Sequence, residues 1–234
     1  MKQRQKQSPI LLKDYHVPDY LIDKTRLHID LHDDVTIVSS SLQMRQNPDA
    51  VEMCNALVLQ GINLKLQRLA INGKDLSESD YVVDEGRLTI HQVPTSFTFD
   101  CVTKIKPQEN TALVGLYQTK GLYCTQCEPE GFRRITYYPD RPDVMSEFTT
   151  TLVADKERFP VLLSNGNLVD QGNVGALMPD VNNQPLRHWA TWHDPFKKPA
   201  YLFAMVAGNL DVIEDSFTTC SGRKVVLQIF SDGK

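Results

Sequence analysis

The hydrophobic residues of this 234-residue chain recur with a period of two along almost its whole length. Leu27, Ile29 and Leu31 alternate with His28, Asp30 and His32. Over residues 97–105 the odd positions are Phe97, Phe99, Cys101, Thr103 and Ile105, whereas the even positions are Thr98, Asp100, Val102 and Lys104. Successive side chains of a strand point to opposite faces, so this alternation predicts half-buried strands. Further strands are expected over residues 35–42, 57–59, 64–71, 87–90, 148–153, 161–163, 187–192, 201–207 and 224–230.

Glycines between these runs mark tight turns: Asn72-Gly73, Glu85-Gly86, Asn165-Gly166, Gln171-Gly172, Ser221-Gly222 and Asp232-Gly233. Many short strands punctuated in this way predict an all-β fold, an antiparallel β-sandwich or a relative of one. The one helical expectation is a short helix at residues 141–148, with Asp140 as its cap and Pro142 in its first turn. Residues 172–185, rich in Asn, Gly and Pro, read as a long exposed loop. The strand at 224–230 stops four residues before the last residue and would more naturally continue into further protein.

Composition narrows the function classes. With 41% hydrophobic and 23% charged residues the chain is too apolar for disorder. A net charge of −4 lacks the basic excess of a nucleic-acid partner. The longest apolar stretch, residues 201–207, falls far short of the roughly 20 residues of a membrane span, so no membrane partner is expected. Residues 1–14 open with three Lys or Arg alternating with three Gln but lack an apolar signal core, and read as a flexible tail. Five scattered cysteines imply no disulfide framework, and cytoplasmic residence follows by default.

Motifs for catalysis are sparse. Cys124-x-x-Cys127 lacks both the strand-to-helix context of a redox pair and a second pair of soft ligands for zinc, and reads as structural thiols. His28 and His32 lie on one strand face roughly 13 Å apart, too far to share a metal. No His-Glu-x-x-His, Gly-x-Ser-x-Gly, P-loop or Gly-x-Gly-x-x-Gly is present. Between Asn110 and Asp143, however, functional residue types crowd together: Gln126, Glu128, Arg133, Arg134, Asp140, Arg141 and Asp143. This loop-rich stretch reads equally as a recognition surface or as a solvated connection whose charges pair with one another.

The same stretch carries a resemblance. Gly115-Leu116-Tyr117, Cys124-Thr125-Gln126-Cys127-Glu128, Gly131-Phe132-Arg133 and Ile135-Thr136-Tyr137-Tyr138 are similar to the N-terminal domain of the bacterial aminopeptidase N family of zinc exopeptidases. The likeness continues in order through Asp140-Arg141-Pro142-Asp143-Val144, Leu163-Ser164-Asn165-Gly166-Asn167, Trp192-x-Asp194-Pro195-Phe196 and Tyr201-Leu202-Phe203-Ala204. It runs from about Tyr15 to the last residues. A leukotriene-hydrolase-like relative would share the architecture, but the Cys124 to Glu128 segment sides with the bacterial aminopeptidases.

The resemblance implies a saddle-like β-domain over residues 15–208, with residues 209–234 as the first strands of a thermolysin-like catalytic domain. It also implies zinc in the full-length enzyme, with no metal site and no catalytic residue in these 234 residues. The family's His-Glu-x-x-His and Gly-Ala-Met-Glu-Asn segments belong to the second domain, so the chain by itself is expected to be inactive. The implied partners are peptides with a free N-terminus and the downstream catalytic domain. By the same resemblance Glu128 helps hold the substrate's α-amino group, and Gln126 lines the pocket for its first side chain. A free-standing β-rich binding or scaffold module is the alternative reading.

Overall fold

The computed structural model describes residues 11–50, 55–174 and 186–233. The first half of the chain forms β1 (Tyr20–Leu31), β2 (Thr36–Gln46), β3 (Leu57–Gln60) and β4 (Lys65–Ile71). After them come β5 (Lys74–Asp75), β6 (Tyr81–Asp84), β7 (Arg87–Ile90) and β8 (Ser96–Ile105). The middle contributes β9 (Gly115–Thr119), β10 (Leu122–Gln126), β11 (Met145–Asp155), β12 (Val161–Ser164) and β13 (Asn167–Asn173). The last third holds β14 (Arg187–Pro199), β15 (Met205–Gly208), β16 (Leu210–Thr218) and β17 (Lys224–Asp232).

One large sheet, ordered β13-β14-β11-β1-β2-β8-β4-β5, is the floor of the domain. A four-stranded sheet, β12-β15-β10-β9, and a three-stranded sheet, β3-β7-β6, complete the packed body. The pairings are antiparallel except for β1 with β11, which run parallel. The expected all-β sandwich is therefore the observed class, with one parallel pair at the centre of its largest sheet.

Alternation explains which face is buried. In β8, Phe97, Phe99, Cys101, Thr103 and Ile105 are all buried while Thr98, Asp100, Val102 and Lys104 are not. In β1 the buried set is Tyr20 and Ile22, then Thr25, Leu27, Ile29 and Leu31. The switch from even to odd positions coincides with a bulge between Ile22 and Lys24, because one extra residue inverts every side chain after it. The core is closed by an aromatic cluster in which Phe132 stands edge-on to Tyr138 at 4.8 Å, to Phe203 at 5.3 Å and to Phe148 at 6.0 Å. Such pairs contribute about 0.5–1.5 kcal/mol each beyond simple burial.

Four sequence expectations need correction. No helix forms at 141–148: Met145 begins β11, whose buried Ser146, Phe148, Thr150 and Leu152 keep the period of a strand. The pairing of Lys24 to Asp30 in β1 with Glu147 to Val153 supplies ladder hydrogen bonds that a short, marginal helix lacks. Residues 201–207 are not one strand, since a 3₁₀ turn at Ala200–Leu202 precedes β15. There the chain leaves the large sheet for the four-stranded one, and Pro199 (φ −68°) suits the turn. The stretch 110–143 is less irregular than expected, because it contains the β9–β10 hairpin. Its two-residue loop, Lys120-Gly121, has both φ angles positive, the twist-matched hairpin geometry.

The fourth correction concerns residues 172–185. Gly172 and Asn173 belong to β13, with Gly172 packed against the Trp189 ring; residues 175–185 lie outside the described residues. Of the expected glycine turns, Gly73, Gly86, Gly166 and Gly222 have positive φ, whereas Gly172 and Gly233 do not. Of the expected tail, residues 1–10 also lie outside, and residues 12–14 form an exposed 3₁₀ turn.

Candidate functional site

β10 delivers Gln126 to the rim of the domain, and the chain then folds back on itself in the loop 127–131. The loop closes with the Gly131 N–H donating to the Cys127 carbonyl at 2.7 Å. A Cβ at Gly131 would lie 2.4 Å from the Gln126 carbonyl oxygen and 2.7 Å from Cys127 Cα, so only glycine allows this close approach. Glu128 sits at the tip, exposed, with a cis peptide bond to Pro129. Neither Gln126 nor Glu128 has a side-chain hydrogen-bond or ion-pair partner among the described residues.

Arg133, Asp140, Arg141 and Asp143 of this stretch are engaged, whereas Arg134 has no side-chain partner among the described residues. Asp140 is 4% exposed and its Oδ2 accepts from the Arg133 backbone N–H at 3.1 Å and from Nε at 3.0 Å. Arg133 also donates to the Asp140 carbonyl at 3.0 Å and pairs with Glu130 at 3.2 Å. Burial pushes the Asp140 carboxyl above the usual range, and the Arg133 bonds oppose that rise. Arg141 grips Asp143 with two bonds, of 2.9 and 2.6 Å, and donates to the His16 carbonyl at 2.6 Å. Tyr15 donates to the same Asp143 carboxylate at 3.0 Å. Those bonds, chiefly from Arg141, hold Asp143 below the ordinary carboxylate value.

Underneath, the segment 135–140 is fastened to the large sheet by buried hydroxyls. Tyr138 Oη lies 3.2 Å from Thr25 Oγ1 and 3.1 Å from Ser146 Oγ, which are themselves 2.7 Å apart. Ser40 meets Thr136 at 2.9 Å, and Thr103 donates to the Ile135 carbonyl at 3.2 Å. From the other side Gln60 and Tyr138 exchange backbone bonds of 2.9 and 3.1 Å. Sequence reading missed this clamp, since a small hydroxyl on a strand's inner face looks like any other β-former. The only prior signal was Thr or Ser standing at otherwise apolar positions of the buried face.

The thiols behave as structural groups. Cys127 is 3% exposed and burial pushes its thiol up to about 12, so it is protonated and unreactive near neutrality. Cys124 faces Tyr117 across the β9–β10 pair, and the thiol beside it holds the Tyr117 phenol above its ordinary value. His28 is exposed on β1, while His32 leaves the strand and meets Asp30 at 2.9 Å. Among the described residues no group of three or more His, Cys, Asp or Glu is placed to hold a metal ion. No helix among them is long and apolar enough to cross a membrane.

Together these features define a class: an all-β domain that offers an unpaired carboxylate on a tightly closed loop and an unpaired amide at the strand end beside it, with no metal cluster among its described residues. Comparison with known proteins makes this specific. The peptidase M1 N-terminal domain profile matches residues 22–202, and the chain belongs to that family. It is 48% identical over 221 residues to aminopeptidase N of Caulobacter vibrioides and 46% identical over 221 residues to aminopeptidase N of Escherichia coli. Each match covers 94% of this chain and 24% of the relative, so the chain spans about a quarter of their length. Among solved structures, Legionella pneumophila aminopeptidase A in complex with aspartic acid superposes with a TM-score of 0.85 at 36% identity, covering 94% of this chain and 25% of that one. An M1 zinc metallopeptidase from Deinococcus radiodurans shares the fold with a TM-score of 0.72 at 14% identity, over 92% of this chain and 48% of that one.

Proposed function

We propose that this chain is the substrate-recognition domain of a broad-specificity zinc aminopeptidase that removes N-terminal amino acids from peptides. Residues 15–208 are the recognition domain and residues 209–234 open the catalytic domain of the same polypeptide. Zinc and the hydrolytic step belong to that downstream part, and the 234 residues alone have no peptidase activity. Glu128 accepts hydrogen bonds from the peptide's α-ammonium, and Gln126 lines the pocket for its first side chain.

The observation that carries this reading is selective pairing. In a stretch dense with charge, Arg133 pairs with Asp140 and Arg141 with Asp143, yet Glu128 stands free on the loop closed at Gly131 and Gln126 stands free at the end of β10 beside it. An unpaired carboxylate favours a cationic ligand, and a charge-assisted bond to an ammonium discriminates against internal peptide bonds. Support for the downstream domain comes from the β16–β17 hairpin, where Ile213, Phe217, Val226 and Ile229 are exposed. A two-stranded hairpin is marginal alone and needs a further surface to cover such residues. Cytoplasmic residence is supported by the four described cysteines, all of which are free thiols. Family membership leaves the free-standing binding module unfavoured.

The test is Glu128→Gln in the whole enzyme, assayed on an aminoacyl anilide. Loss of a charge-assisted bond worth about 1.5–3 kcal/mol lowers kcat/KM roughly 10- to 150-fold. A variant with unchanged kcat/KM overturns the assignment.

A further inference from the structure

A second concave surface lies beside this loop. It is a groove of about 550 Å³ between β4, β8, the start of β9 and the 3₁₀ turn at Phe132–Arg134. Its charge is one-sided. Lys65, Lys104, Lys106 and Arg134 line it against a single carboxylate, Glu109. Glu109 is already engaged by Lys106 at 2.7 Å, and Asp34 adds a further favourable field at that lysine. Lys65, Lys104 and Arg134 are left with no hydrogen-bond or ion-pair partner for their side chains among the described residues. Three uncompensated cations thus share one groove on a protein whose net charge is −4.

Two features show that this is more than a solvated surface. Lys65 and Lys104 are direct register partners of the antiparallel β4–β8 pair. Like charges placed opposite each other weaken a sheet, so the pairing carries a cost with no local return. Arg134 is seated by Gly115 (φ +81°), where a Cβ would come within 2.7 Å of Arg134 Cβ and 3.6 Å of its Cδ. The stem is thereby packed while the guanidinium is left over for something else. β5 pairs only with Ala70 and Ile71, so β4 is a sheet edge at Lys65, where an exposed lysine protects against further pairing. That protection does not account for Lys104, which is half-buried on β8 between β2 and β4.

We infer that this groove is a binding site for an extended acidic peptide segment. Its cations come from three separate elements, β4, β8 and the 3₁₀ turn, which suits carboxylates spaced along a chain better than one compact ion. Leu64, Ile105 and Leu116 supply an apolar lining between them, and this suits the aliphatic stems of Glu side chains. The inference is independent of the role given to Glu128, which carries the opposite charge and faces a cationic ligand.

The experiment is an anisotropy titration of the full 234-residue chain with a fluorescein-labelled, end-capped hexaglutamate. Binding is expected, falling as salt is raised because the contacts are ionic. Lys104→Glu and Arg134→Gln each weaken it at least tenfold while leaving the thermal transition in place. Lys120→Glu, an exposed cation in the β9–β10 turn outside the groove, leaves it unchanged. Absence of binding, or equal weakening by Lys120→Glu, overturns the inference. So does citrate displacing the peptide at matched carboxylate concentration, which marks a small-anion site, and so does an oligothymidylate binding as tightly, which marks a general polyanion surface. Should either groove variant unfold, Lys65→Gln at the solvent edge provides the same reading, with at least a threefold loss expected and no loss counting against the site.

Discussion

At the scale of single residues, burial decides which charges are structural and which are free to act. Asp140 and Asp143 are three positions apart, yet their acid-base behaviour diverges. Asp140 is desolvated and its carboxyl rises, so its titration favours folding at low pH and that contribution fades as pH climbs through the raised value. Asp143 is held down by Arg141, so its contribution is present above the ordinary Asp value of 3.8 and is lost as pH falls through the lowered one. Asp143→Asn is therefore expected to flatten the loss of stability below about pH 4 relative to the parent chain. Urea midpoints measured in steps from pH 5 to about pH 2.5 check this; parallel curves would show that the Arg141 pairing adds nothing to folding. Glu128 differs from both because nothing in the fold uses it.

At the scale of elements, the candidate site depends on a loop with almost no spare volume. A methyl group at Gly131 collides with backbone on two sides, at 2.4 and 2.7 Å, and backbone cannot rotate away as a side chain can. Gly131→Ala should cost about 2 kcal/mol, the middle of the range for overpacked sites. For a domain of this size that lowers Tm by roughly 4–8 °C, readable by calorimetry. Under the proposed role of Glu128 and Gln126, the same variant in the whole enzyme should raise KM more than it lowers kcat, because the turn that positions them must open. A Tm within 1 °C of the parent would mean the loop has slack. Neither of these residues is revealed by periodicity. The loop lies between elements, and its chemistry emerges only from which neighbours are already paired.

At the scale of the whole molecule, the strands divide into a packed body and an uncovered hairpin. The body shares one aromatic core in which Phe132, Phe148 and Phe203 bring together the loop segment, the large sheet and the approach to β15. The β16–β17 hairpin leaves Ile213, Phe217 and Ile229 more than half exposed. Hydrogen exchange should separate the two: β16 and β17 amides exchange at least a hundredfold faster than those of β1, β2 and β8, whose pairing is covered by core. A chain ending at Asn209 should keep the parent Tm within about 2 °C, and a fall beyond about 5 °C would make the hairpin part of the domain's own core.

The sequence by itself determined the class of fold and most of the strands, because alternation at period two is a property of each segment alone and survives without knowing its neighbours. It placed β7, β8, the second half of β1 and four glycine turns, and it singled out the stretch that holds the candidate site. It also carried the family likeness, which the profile match shows. Only the tertiary structure decided that residues 141–148 enter a strand paired with β1 and that Arg133 closes on Asp140. It alone set Lys65 opposite Lys104 across a sheet. Each of these is a contact between residues distant in sequence or on different elements, where the energy depends on register, burial and the local dielectric. Local pattern is blind to all three, which is why the paired and the unpaired carboxylates look alike until the chain is folded.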